Sequence, residues 1–129
     1  MKVKVNLKII EFNKKENIRS IIVDLMTEGM YNDNNDVLIF KEDRKNKMIC
    51  KVTRLPNELL IERTGNYKTK MVIKRNGVSH YYMSMKEGNL SIPIYIKSLK
   101  FDDKKYDVEY QTDDDISSLK ERKIVISIL

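Results

Sequence analysis

The chain has 129 residues, 41% hydrophobic and 34% charged, and a net charge of +6. That length suits one domain around one core, spanning residues 1–129, and the composition is globular rather than disordered. No apolar run approaches the ~18 residues of a membrane helix, so no membrane insertion is expected. The densest run is Ile92-Pro93-Ile94-Tyr95-Ile96.

The N-terminus alternates Lys2 and Lys4 with Val3 and Val5, which is not the continuous apolar core of an export signal. Cys50 is the only cysteine and has no partner for an internal disulfide, so the expected location is cytoplasmic.

The dominant period along the chain is two. Val3, Val5, Leu7 and Ile9 alternate with lysines and Asn6, a strand with one dry and one wet face. A polar turn at Asn13–Asn17 leads to a β-branched strand over Ile18–Thr27, closing at Gly29 with Met30 and Tyr31 as a short continuation. Asn32–Asp36 is a run of turn formers. Val37–Glu42 is the next strand, and Asp43–Asn46 a charged turn.

Met48, Cys50 and Val52 share one face of the following strand, which ends at the Pro56-Asn57 turn. Leu59 and Ile61 lead a strand to Thr64-Gly65-Asn66. Met71 and Ile73 precede Asn76-Gly77, the strongest hairpin signal in the chain. Val78–Met85 returns to a further hairpin at Glu87-Gly88-Asn89.

Leu90, Ile92, Ile94 and Ile96 then form the longest apolar comb, in which Pro93 removes one ladder donor and predicts a bulge or local edge. Tyr106, Val108 and Tyr110 alternate with charged residues. Thr112–Arg122 reads as a polar loop with one helical turn at Ile116–Lys120, before a last strand on Ile124, Ile126 and Ile128.

Strands at about ten-residue spacing, joined by hairpin turns without a long helix, predict an all-β protein. The expected architecture is a single antiparallel up-and-down β-barrel of about eight to ten strands with little or no helix. Closure removes the exposed edges that an open sheet would leave. Val5, Leu7, Cys50, Val52, Ile92, Ile94, Val108, Ile124 and Ile126 are the expected core, with Tyr95 outside.

Several segments carry a family resemblance. They are Thr27-Glu28-Gly29-Met30-Tyr31, Met48-Ile49-Cys50-Lys51-Val52, Glu62-Arg63-Thr64-Gly65, and Gly88-Asn89-Leu90 leading into Ile94-Tyr95-Ile96-Lys97. With these and its isoleucine-alternating last strand, the chain resembles the YwiB-like family of uncharacterised bacterial proteins. The resemblance implies a calycin-type (lipocalin-like) β-barrel and no particular activity.

Catalytic chemistry is not visible. One His and one Cys cannot supply a structural zinc site, and the four glycines are isolated rather than gathered in a phosphate loop. No metal, no cofactor and no enzymatic activity are expected. Cys50 reads as core packing, and the Asp113-Asp114-Asp115 run as a solvated loop rather than a calcium site.

The leading functional reading is a non-enzymatic binder of a small apolar or amphipathic ligand in the barrel lumen. Arg63, His80 and Tyr82 are its candidate polar groups, with Asp24 as a candidate partner of Arg63. A filled-barrel scaffold, homo-oligomeric or docking to a partner, is the first alternative. The second is a basic surface for RNA or another polyanion on Lys2, Lys4, Lys8, Lys51, Lys70 and Lys74. It is less favoured because the cations are mostly lysine, and an AT-rich coding bias accounts for them as well.

Overall fold

The computed structural model describes residues 1–43 and 47–129, with Asp43 in its backbone alone. The Asp43–Asn46 turn read from the sequence thus falls largely outside the described residues. Ten antiparallel strands close into an up-and-down barrel in the order β1-β10-β9-β8-β7-β6-β5-β4-β3-β2. One short helix, α1, is present among the described residues, at Asp113–Ser117. No described helix is long and apolar enough to cross a membrane.

The strands form where the period-two pattern puts β-branched and aromatic residues, and they end at turn formers. Asn17 and Asp36 close their turns with φ of 55° and 57°, a left-handed geometry that Asn and Asp tolerate. Gly77, at φ 101°, supplies the turn between β6 and β7 that Asn76-Gly77 announced.

The fold is built from two compact units. The first comprises Met1–Val3 and Thr27–Pro93. Its ladders run through β3 (Val37–Asp43), β4 (Met48–Leu55), β5 (Glu58–Thr64), β6 (Lys68–Lys74) and β7 (Ser79–Met85). Their register lines up inner rows: Leu38, Val52, Ile61, Met71 and Tyr81 in one, Phe40, Cys50, Arg63, Thr69 and Met83 in the next. Leu38, Phe40, Cys50, Val52, Leu59, Ile61, Met71 and Ile73 are buried there.

The second unit comprises Lys4–Met26 and Ile94–Leu129. In it β1 (Lys2–Asn13) pairs with β10 (Lys120–Ile128), which pairs with β9 (Lys105–Gln111), which pairs with β8 (Gly88–Phe101). Leu7, Ile126 and Tyr106 form one buried row across this sheet, and Val108 is buried beside Ile124. Burial of each such side chain contributes about 1.5–3 kcal/mol, which is what holds the register in place.

Ile94 is buried and Tyr95 exposed, as the alternation required, while Ile92 is half-buried rather than core. Two local readings are corrected. β2 is one continuous strand over Ile18–Asn32, because Gly29 is accommodated within the pleat. The Thr112–Arg122 loop is shorter than expected, since β10 begins at Lys120, and its helical turn is at Asp113–Ser117 rather than Ile116–Lys120. The described β8–β9 ladder begins at Tyr95, past Pro93, and its register shifts between Ile96 and Ser98.

The acidic run is helical rather than a loop, with Asp113 and Asp114 exposed as expected but Asp115 buried. Thr112 caps α1, its side chain accepting from the Asp115 amide at 3.1 Å while the Asp115 carboxylate accepts from the Thr112 amide at 3.0 Å. Asp115 is buried and also accepts from Nε of Arg122 at 3.0 Å. Capping and ion pairing together offset the cost of burying that carboxylate.

Candidate functional site

In the first unit one inner row carries polar groups among apolar ones. Arg63 follows Leu59 and Ile61 on the same face of β5 and lies between Cys50 of β4 and Thr69 of β6. It faces inward by alternation alone. Glu42 meets it from β3, where the register shifts between Lys41 and Asp43, an irregularity of the bulge kind that re-aims a side chain. Arg63 donates from Nε to Glu42 Oε2 at 2.7 Å and from Nη2 to Oε1, a bidentate pair.

The surroundings of this pair are only partly dry. Burial opposes the Arg63 charge, yet Glu42 outweighs it and raises the guanidinium's affinity for its proton. Tyr81 comes in from the next inner row, where its phenol is pushed up by burial against the opposing pull of Thr69 and Arg63. Thr69 Oγ1 is buried with no hydrogen bond at full geometry among the described residues, though it pulls the Tyr81 phenol down as a hydrogen-bond partner does. A buried hydroxyl left unpaired costs roughly 1–3 kcal/mol, so a better-placed acceptor or donor from outside the chain would be favoured here.

The chemistry available is recognition. Burial pushes the Cys50 thiol well above its ordinary value, with Glu42 adding to the effect, so it is a poor nucleophile. Among the described residues no three His, Cys, Asp or Glu side chains come together as a metal site would require.

Of the residues read from the sequence, Arg63 belongs to this row and the other two do not. His80 and Tyr82 lie on the outer face, opposite Val72 and Lys70, with their rings stacked 5.8 Å apart at 27°. The register pairs Met71 with Tyr81, so Tyr81 is the inward tyrosine. The expected convergence of Arg63, His80 and Tyr82 is therefore corrected to Arg63, Glu42, Thr69 and Tyr81. The partner of Arg63 is Glu42; Asp24 instead accepts from Asn6 Nδ2 at 3.0 Å. Strand parity with Ser79 and Met83 was the signal for Tyr81, as parity with Leu38 and Phe40 was for Glu42.

On the outer face, Lys68, Lys70, Tyr82 and Ser84 help line a shallow groove of about 240 Å³. Its lysines do not stand alone. Glu62 sits between Lys51 and Lys70 in the ladder, and Lys74 is opposite Glu58. Lys2 and Lys4 are exposed, while Lys8 is half-buried opposite Val125. Interleaved carboxylates weaken a field meant for polyanions.

Residues 3–126 match the family described as a domain of unknown function, DUF1934. The chain belongs to this family. A crystal structure of the ywiB protein from Bacillus subtilis is similar to this DUF1934 chain with a TM-score of 0.68 at 15% identity. The similarity covers 98% of this chain and 91% of that one, and at such low identity it speaks for the fold alone. No curated protein matches the sequence. The inner polar row thus stands on a DUF1934 barrel, and no activity comes with the family.

Proposed function

We propose that this DUF1934 chain is a non-enzymatic binding protein for a small amphipathic ligand, held against the inner face of β4–β7. The apolar body would have to part the packing of Ile61 and Met71, which are buried in the row next to Arg63 and Thr69. Its acceptor head would meet Arg63, Thr69 and Tyr81. The observation that carries this reading is the buried hydroxyl of Thr69, held at most by Tyr81, beside an oriented and half-buried guanidinium. Apolar walls with a few convergent donors are how small-ligand sites combine burial with orientation. The inert thiol of Cys50 supports binding over catalysis.

Dodecanoate serves as a probe of this chemistry, titrated into the isotopically labelled full chain and followed by amide NMR shifts. Saturable shifts at Thr69, Met71 and Tyr81 are expected, with Tyr81→Phe weakening the titration about three- to tenfold for one lost hydrogen bond. Shifts confined to outer residues such as Lys70 and Tyr82, or none, would sink the proposal. Native mass spectrometry of protein purified without refolding provides an independent readout, a carried-over small molecule being the supporting result.

A further inference from the structure

On the outer face of the first unit, the groove of about 240 Å³ runs across the strands between two ladder rows. Glu62, Lys70 and Tyr82 form one bank, and Thr64, Lys68 and Ser84 the other. Arg63 and Thr69 lie between these rows with their side chains turned inward, so their backbone forms the floor. Lys68 and Lys70 are two residues apart on one face of β6, about 7 Å along the strand, and flank the groove from its two sides. That spacing suits one anion held between two ammonium groups.

The fold does not use these cations. Among the described residues Lys68 and Lys70 enter no ion pair, whereas Lys14, Lys97, Lys120 and Lys123 of the second unit all do. Glu62 stands opposite Lys70 in the ladder without closing on it. The guanidinium of Arg63 is engaged by Glu42 on the inner face. Beside the lysines Tyr82 offers a ring that is 40% exposed. Its stack on His80, 5.8 Å apart at 27°, limits the poses that ring can take. A positioned ring next to unpaired cations and two hydroxyls is complementary to a planar base joined through a sugar to a phosphate.

We propose that this outer groove binds a nucleoside monophosphate, with its phosphate between Lys68 and Lys70, its base on Tyr82 and its sugar within reach of Ser84. Charge complementarity chooses the occupant, and Glu62 sets its limit. The carboxylate stands on the Lys70 bank, so the phosphate sits toward Thr64 and Ser84. One phosphate is attracted there, while a chain of phosphates meets Glu62 and is repelled. The groove is also smaller than the ~300–1,000 Å³ of ordinary small-molecule sites, which favours one small occupant. The site is separate from the inner row and does not depend on it.

Amide NMR of the labelled full chain, titrated with adenosine monophosphate at low ionic strength, tests this. Saturable shifts at Lys68, Lys70, Tyr82 and Ser84 are expected. Lys68→Gln combined with Lys70→Gln should weaken binding at least about tenfold. Lys2→Gln combined with Lys4→Gln removes the same charge at the same spacing from β1 and should change it less than about twofold. Tyr82→Ala should weaken binding about fivefold or more and Tyr82→Phe should not, because stacking needs the ring and not the hydroxyl. Glu62→Gln should tighten it about two- to fivefold. All these side chains point outward, and urea unfolding checks that each variant is folded. Inorganic phosphate or adenosine binding as strongly as the monophosphate would overturn the proposal. So would a short oligouridylate binding more than about a hundredfold tighter with a steep salt dependence, the mark of a polyanion surface. Absent saturable shifts, or equal effects of the two double lysine variants, would overturn it as well.

Discussion

Glu42 on β3 and Arg63 on β5 meet across the intervening strand β4, the guanidinium donating from Nε at 2.7 Å. The carboxylate side chain is 8% exposed and the guanidinium side chain 30%. One partner is therefore largely dry and the other reaches water.

Removing the cation alone strands the buried carboxylate. Arg63→Met should lose about 1–3 kcal/mol of stability, less than the ~3–5 kcal/mol of a fully buried pair because solvent screens part of the interaction. The double variant Glu42→Gln, Arg63→Met should recover much of that loss. Urea unfolding measures both, and an Arg63→Met protein as stable as wild type would contradict the account.

The lock at α1 makes a graded prediction. Thr112→Ala removes an N-cap acceptor and should cost about 1 kcal/mol. Asp115→Ala should cost more, about 2–3 kcal/mol, because it leaves the Thr112 amide without its acceptor and takes the buried partner from Arg122. Equal urea midpoints for the two variants would show that Asp115 contributes only through the cap.

Two carboxylates set the acid limb of stability. Burial raises the Asp36 carboxyl, but hydrogen bonds from Arg54 and Tyr31 outweigh it and hold the group below its ordinary value. Lys14 and Lys97 hold Glu121 below its own. Groups depressed on folding add stability that is fully present above their unfolded values and lost as pH falls through the folded ones. Stability should thus be flat near neutrality and decline below about pH 4. Asp36→Asn, which suits the φ of 57° there, should flatten that decline. An unchanged acid limb in Asp36→Asn, followed by circular dichroism, would remove Asp36 from the explanation.

Cys50 offers a probe of opening. Because burial holds the thiol protonated, an aromatic disulfide reagent near neutral pH should react with the native protein far more slowly than with unfolded chain. The native rate should rise in urea along with unfolding. Equal rates in native and unfolded protein would mean that β4 is open in solution.

Strand faces and turns were legible in the sequence because both are local. Val5 and Leu7, and Ile124 and Ile126, are buried where period two put them, and Asn76-Gly77 turns because glycine accepts positive φ. Which residues meet across strands was decided only by the tertiary structure. Alternation restricted Tyr81 and Tyr82 to opposite faces, and the pairing of Met71 with Tyr81 decided for the first of them, the face it shares with Ser79. Likewise Glu42 reaches Arg63 through a shift of register in β3, and Asp115 is buried because α1 folds back onto β10. A register slip of one residue reverses every side chain on a strand, and it is set by the packing of whole sheets rather than by neighbours along the chain.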